Sequence, residues 1–167
     1  MSDLLQSVGD KLKSRFPEAL LSAVQEYDFP VFEVQRERIV EIARFLYSDP
    51  DMGFQFLTTL CGLHYPDNKG RELGVMYQFH NLSKNHRIRL KTFFPITDPT
   101  VPTLTGVFAS ANWQERQEYD FFGIVFRGHP NLKRILNMDE MNYFPMRKEY
   151  PLEDGTRTDK NDGMFGR

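Results

Sequence analysis

"ANWQERQEYDFFGIVFRGHPNLKRILN", residues 111–137, is the stretch on which the reading of this chain turns. It packs three acids, four lysine or arginine side chains and a His-Pro turn into one helix-to-strand passage. Asn112 suits an N-cap, and Glu115 stands three residues on, where a capping box places its acid. The spacing predicts a helix over residues 113–122 that stops at Gly123, which suits the left-handed C′ position. Arg116 and Asp120 lie one turn apart, as do Glu115 and Tyr119, so pairing within the helix is expected. Residues 124–126 then read as a strand, Gly128-His129-Pro130 as a turn, and residues 134–136 as a return. A catalytic site, a metal site and a partner-binding surface would all be this dense in charge, and the rest of the chain has to decide among them.

Upstream, element types alternate. Ser2 can cap a helix with Leu5, Val8 and Leu12 on one face, stopped by Phe16-Pro17. Strand-like pieces follow at residues 20–27 and 31–35, and Ile39, Ile42, Ala43 and Leu46 then mark a second helix ending at Ser48-Asp49-Pro50. In the next strand Leu57, Thr59, Cys61, Leu63 and Tyr65 share one side while Phe54, Phe56 and Leu60 take the other, which predicts cover on both faces. Leu73, Val75, Tyr77 and Phe79 alternate in the strand after it. Ile88 and Leu90 alternate with Arg87, Arg89 and Lys91 in a third, and "NLSKN" between the last two reads as a hairpin loop. Helices mixed with consecutive strands predict an α+β fold: a two-layer domain with a mostly antiparallel or mixed sheet packed by helices. From Pro95, "FPITDPTVPTLTG" reads as a connector into the opening stretch. The domain is expected to span residues 1–137, with an extended C-terminal segment at 138–167 that lacks periodicity.

Bulk properties exclude several classes. A chain of 167 residues is one domain by size and buries roughly 70% of its unfolded surface. A net charge of −2 favours neither nucleic acid nor anionic lipid, so the strip Arg87, Arg89, Lys91 reads as a solvated face. No apolar run approaches the ~20 residues of a membrane-spanning helix. The acid-bearing amino terminus lacks the apolar core of a signal peptide, and the single Cys61 fits a reducing compartment.

Chemistry is scarce. Glu115 and Glu118 share a helix face and would be the carboxylate pair of a stand-alone hydrolase, but nothing local supplies the apolar pocket that splits two carboxyl pKa values. Surface or partner-facing salt bridging is the expectation for them. His64, His80, His86 and His129 lack the short paired spacing of a zinc site. Cys61 sits at an alternating strand position, as a buried inert thiol would. There is no Gly-x-Gly-x-x-Gly or phosphate loop, and one cysteine cannot hold an iron–sulfur cluster.

The opening stretch also carries a resemblance. "ERQEYDFFGIVFRGHPNLKRIL", residues 115–136, resembles the signature of the thirty-kilodalton subunit of respiratory complex I, also called the C subunit of NADH-quinone oxidoreductase. Glu115-Arg116, the acid Asp120, Phe121-Phe122-Gly123, His129-Pro130 and Lys133-Arg134-Ile135-Leu136 fall at the family's offsets. "FPMRKEYPLED", residues 144–154, continues it. Gln117 stands where the family usually has Glu; Met146, Glu149 and Asp154 are milder departures, and "NMDEMNYF" lacks a glycine often found there.

The resemblance implies a cofactor-free scaffold subunit in the hydrophilic arm of a proton-translocating NADH-quinone oxidoreductase, an enzyme by membership with no catalytic residue in this chain. FMN, iron–sulfur clusters and quinone would lie in other subunits. The main partner would be the forty-nine-kilodalton-type subunit near the quinone-reducing end. Membrane contact would be indirect, on the cytoplasmic side of a bacterial cell membrane, with no nucleic acid involved. The alternative is the equivalent subunit of an energy-converting hydrogenase or related dehydrogenase. Interface candidates from the first motif are Glu115, Arg116, Glu118, Asp120, Phe122, Gly123, His129, Pro130 and Arg134. Arg147, Lys148, Tyr150 and Pro151 come from the second, whose residues 145–154 are expected to become ordered only against the partner.

Overall fold

Leu73, Val75, Tyr77 and Phe79 are all fully buried, and this unbroken inward row places their strand inside the sheet rather than at its edge. A computed structural model describes residues 3–150. Its elements are α1 (Asp3–Arg15), β1 (Leu20–Glu26), β2 (Phe29–Val34), a 3₁₀ turn (Arg36–Arg38), α2 (Ile39–Ser48), β3 (Phe56–His64), β4 (Leu73–Asn81), β5 (His86–Phe94), β6 (Thr100–Pro102), α3 (Ala111–Phe122) and β7 (Val125–Arg127). The main sheet has the order β1-β2-β5-β4-β3, with β2 and β5 parallel and every other neighbour antiparallel. The expected α+β class with a mixed sheet is what the chain adopts.

Register explains the burial. Leu60, Tyr77, Leu90 and Phe32 stand in one row across β3, β4, β5 and β2, and all four are buried. Leu5, Val8 and Leu12 of α1 and Ile39, Ile42, Ala43 and Leu46 of α2 join them in a single core. Each of the leucine, isoleucine and valine side chains among them contributes about 1.5–3 kcal/mol on burial. The opposite sheet face carries long polar side chains that cover it themselves. Arg89 lies 4.1 Å over the Phe29 ring and donates to Gln78, Lys91 pairs with Glu26 at 2.6 Å, and Arg71 pairs with Glu33 at 2.7 Å. The basic strip is therefore a partly solvated face, as its charge balance indicated.

The expectation of cover on both faces of β3 fails. A register shift between Leu57 and Thr59 turns the strand, so Leu57 and Leu60 are buried together while Thr59, Cys61 and Leu63 are only partly covered. Alternation cannot be carried through a bulge. The connector at residues 94–106 also holds more than expected: Thr100–Pro102 forms β6, paired in parallel with β7.

Candidate functional site

α3 begins two residues earlier than its sequence pattern, at Ala111, and Ser110 occupies the N-cap without a side-chain hydrogen bond. Asn112 lies inside the helix, where its carbonyl accepts the His129 Nε2–H at 3.0 Å. The Asn131 N–H then donates to His129 Nδ1 at 3.0 Å, so this His-Pro turn is pinned to the helix start through both ring nitrogens. At the other end Gly123 adopts φ 71° and its N–H donates to Tyr119, the expected left-handed cap. Its missing Cβ leaves a notch that the Phe144 ring fills.

The three acids turn inward. Glu115 closes no capping box; its oxygens accept the Leu104 N–H at 2.7 Å and the Thr103 hydroxyl. It is 0% exposed, and burial pushes its carboxyl up to about 7 against the pull of those two donors. The Tyr77 hydroxyl, buried and without a hydrogen-bond partner among the described residues, feels the same carboxylate and is itself held high by burial. Glu118 accepts the Gly62 N–H at 2.6 Å and the Gln117 side-chain amide at 3.1 Å. Burial raises its pKa as well, with those donors opposing. A glutamate at 117 could not donate to it, so glutamine suits this position. Neither acid makes the surface salt bridge expected of it. Both are engaged by their own chain, and they reach different elements, so they do not form a hydrolase's exposed carboxylate pair.

Asp120 does not pair with Arg116. One of its oxygens accepts the N–H groups of Ile135, Leu136 and Asn137 at 3.1, 2.8 and 2.9 Å. The other accepts Arg134 Nη1 at 2.7 Å and Asn137 Nδ2 at 3.0 Å. Burial alone would raise this carboxyl, but the donors outweigh it and hold it well below the usual carboxylate range. Residues 134–136 form no strand, and the N–H groups of Ile135 and Leu136 are spent on Asp120 instead. Arg116 instead donates to the carbonyls of Lys133 and Arg134, with its guanidinium 5.1 Å over the Trp113 ring.

The C-terminal segment is irregular, as expected, yet its described part is strapped to the domain. Met146 N–H donates to the Phe121 carbonyl at 3.1 Å and Arg147 Nε to the Phe122 carbonyl at 2.8 Å. Arg134 and Arg147 both lie against the Phe144 ring, at 5.1 and 4.8 Å. Lys148 N–H donates to His64 Nδ1 at 2.9 Å, and its ammonium stands 5.5 Å over the Tyr65 ring. Burial pulls the His64 pKa down, partly opposed by Glu149. Tyr150 packs on Tyr143 at 5.0 Å. Residues 145–150 therefore have partners within this chain, contrary to the expectation that only another subunit orders them. Pro151 and the rest of the tail lie outside the described residues. His80 pairs with Arg87 across the hairpin and contacts Asn85, while His86 lies opposite Asn81, so the two do not face each other.

Thr103, Leu104, Gly62 and Asn137 complete this arrangement and were not singled out from sequence; His64, weighed there only as a metal ligand, and Phe144, which opens the second motif, complete it as well. Only Gly62 left a signal: a glycine inside a strand marks a close approach, here of Phe122 and Glu118.

Fold and motif together define a two-layer α+β domain whose charged signature is a clasp, closing a helix, a return loop and a strap on one another. The chain belongs to the family described as the respiratory-chain NADH dehydrogenase 30 Kd subunit, whose family model it matches over residues 32–156. It is 43% identical over 149 residues to the C subunit of NADH-quinone oxidoreductase from Mycolicibacterium gilvum, covering 89% of this chain and 65% of that one. It is 46% identical over 121 residues to the C subunit of the Streptomyces coelicolor enzyme, covering 72% and 48%. The chain thus spans about half to two thirds of the length of these relatives. Among solved structures, a trypsin-resistant fragment of Nqo5 superposes with a TM-score of 0.63 at 31% identity, covering 77% of this chain and 98% of the fragment. A chain of an archaeal membrane-bound sulfane sulfur reductase superposes with a TM-score of 0.71 at 21% identity, covering 88% and 85%, and shares the fold.

Proposed function

We propose that this chain is a cofactor-free scaffold subunit in the hydrophilic arm of a proton-translocating NADH-quinone oxidoreductase. It docks on the forty-nine-kilodalton-type subunit near the quinone-reducing end and works peripherally on the cytoplasmic side of a bacterial membrane. NADH oxidation at FMN, electron transfer through iron–sulfur clusters and quinone reduction belong to other subunits. The observation that carries this reading is the division of labour in the motif. Its acids face inward and fasten the clasp, while Trp113, Leu136 and Met138 stand 65%, 62% and 69% exposed along its outer side. Large apolar side chains around Arg116 are the composition of an interface centre rather than of a solvated surface. No helix among the described residues is long and apolar enough to cross a membrane, which agrees with indirect attachment.

The test is the double substitution Trp113→Ala, Leu136→Ser in the native operon, with co-purification of the forty-nine-kilodalton-type subunit and NADH-quinone activity of membranes as readouts. The variant chain should fold with an unchanged melting temperature yet lose stable association. Normal assembly by that variant would overturn the proposed docking face. An absorption spectrum of the purified wild-type chain tests the other half: stoichiometric flavin or iron would overturn the cofactor-free role.

A further inference from the structure

The strap is fastened by bonds of two kinds. Its first part is held on backbone carbonyls: the Met146 N–H donates to Phe121 at 3.1 Å and Arg147 Nε to Phe122 at 2.8 Å. Neither bond contains a carboxyl or an imidazole, so neither changes with pH near neutrality. Its last part is held on a side chain that does. The Lys148 N–H donates to His64 Nδ1 at 2.9 Å, and the His64 side chain is only 2% exposed.

A backbone N–H can only donate, so Nδ1 must offer its lone pair, and the ring proton sits on Nε2. A second proton has one ring position left to take, Nδ1 itself, and would set two donors against each other at hydrogen-bond distance. We propose that His64 is a pH-sensitive latch for the end of the strap: proton uptake at Nδ1 expels the Lys148 N–H, and residues 148–150 lift from β3 while Met146 and Arg147 stay fastened. Lys148 then carries its ammonium away from the Tyr65 ring, over which it stands at 5.5 Å. The step adds one proton from solvent, breaks no covalent bond and reverses when that proton leaves. It is a property of this chain and does not rest on the docking face proposed above.

Among the described residues, the charged groups around this ring come from three elements. In the strap, Glu149 Oε2 lies 3.7 Å from Nε2 and favours the imidazolium, whereas Arg147 and Lys148 oppose it. Glu72, just ahead of β4, favours it as well. Burial is the largest influence, and it opposes the charge. Glu149 does not offset burial, because its side chain is 43% exposed and lies 3.8 Å from Arg147. The closed strap therefore holds the proton less readily than an open one whose ring meets water. With the folded pKa lowered from 6.5, the latch is at full strength above that value and weakens as pH falls below it. Glu118 of α3, which reaches β3 at Gly62, has the opposite sign: burial raises its pKa, so acid favours its folded position.

Amide exchange of the full chain, read residue by residue by NMR, tests the latch at pH 7.5 and pH 5.5. Protection factors divide out the intrinsic pH dependence of exchange. An open strap takes the proton at the ordinary histidine value of 6.5, which limits the effect one unit lower to about tenfold. Lys148 should therefore lose protection several-fold on acidification, up to that limit, while Met146 keeps its own. This comparison lies within the wild type and needs no variant. His64→Asn puts an amide oxygen where Nδ1 stands and should keep Lys148 protected at both pH values. His64→Gln puts its oxygen nearer the Nε2 position and should leave Lys148 unprotected at both. Lys148 protection that does not fall with acid, equal losses at Met146 and Lys148, or a His64→Asn chain that still opens on acidification each overturns the proposal.

Discussion

Replacing Asp120 by alanine tests the clasp most directly. The carboxylate is fully buried and receives five donors: three consecutive backbone N–H groups, the Asn137 amide and Arg134, whose side chain is itself only 8% exposed. Truncation leaves a buried guanidinium and three inward N–H groups without their acceptor, although Arg134 keeps carbonyl partners at Asp120, Met141 and Tyr143. Breaking one half of a buried ion pair costs about 3–5 kcal/mol. At about 2–4 °C per kcal/mol for a chain of this size, the melting temperature should fall by roughly 6–20 °C. Glu41→Ala is the internal comparison. It removes an ion pair with Arg38, roughly half-exposed on both sides, which is worth only about 0.2–1 kcal/mol. The assay is thermal unfolding combined with amide exchange of residues 134–150, which should lose protection in Asp120→Ala before the sheet does. Acid supplies a second signature. The folded-state pKa of Asp120 is depressed, so its contribution is present above the ordinary aspartate value of 3.8 and is lost as pH falls below it. The wild type should therefore lose its advantage over Asp120→Ala on acidification. An Asp120→Ala cost no larger than that of Glu41→Ala, or unchanged exchange in the return loop, would refute the clasp.

Glu115 has the opposite sign: its folded pKa is raised from 4.5 to about 7, so the native state binds the proton more tightly and stability falls as pH rises through that window. Glu115→Gln should abolish this dependence and gain on the order of 3 kcal/mol relative to wild type between pH 4 and pH 8, read from urea midpoints; a wild-type difference that does not change with pH would sink the assignment. Gly62→Ala would drive a Cβ into the Phe122 ring and the Glu118 carboxylate, and should cost about 1–3 kcal/mol in the same unfolding measurement; a neutral change would mean that α3 can yield. Phe144→Ala empties the notch at Gly123 and removes the ring between Arg134 and Arg147, so limited trypsin digestion should cut after Lys148 several-fold faster while the sheet resists. Equal cleavage rates would show that the backbone bonds to Phe121 and Phe122 hold the strap alone.

Much of the sheet was legible because its signals are local. Period-two alternation in β4 and the row Ile39, Ile42, Ala43, Leu46 in α2 need no knowledge of what packs against them, and both are buried as their spacing indicates. The Gly123 cap was legible for the same reason: only glycine takes that conformation without strain. Most of the failures are at long sequence separation. Helix spacing offered Arg116 to Asp120, but the partner that Asp120 takes is 14 residues away and lies beyond a strand and a His-Pro turn. Glu115 finds its donors 11 and 12 residues upstream, and Glu118 finds one 56 residues upstream. The bulge in β3 is invisible to alternation because it is a break in alternation. Phe144 could not be assigned a home without knowing that Gly123 opens a notch of its size.

The same distinction bears on how a signature should be read. Clustered charge in "ERQEYDFFGIVFRGHPNLKRIL" suggests a surface, since charges are rarely buried unless paired. Here each acid is buried and each is met by donors. The desolvation cost that raises Glu115 and Glu118 is carried by backbone N–H groups at Leu104 and Gly62, and at Asp120 the donors exceed that cost. Backbone donors can be aimed only by a fixed chain path, so the motif specifies the path of residues 99–150 rather than a reactive centre. A path fixed this way makes the exposed positions rigid as a consequence: Trp113, Leu136 and Met138 are presented by segments whose backbones are tied to α3. A docking surface loses less conformational entropy when its side chains project from a preorganised backbone. The acids that look like a site therefore lie one layer below the proposed docking face, and substitutions there should weaken assembly only as far as they loosen the clasp. Asp120→Ala and the pair Trp113→Ala, Leu136→Ser separate these effects: the first should lower stability and association together, the second association alone. If Asp120→Ala kept full stability and still failed to assemble, the acid would be contacting the partner directly, and the inward reading of the motif would be wrong.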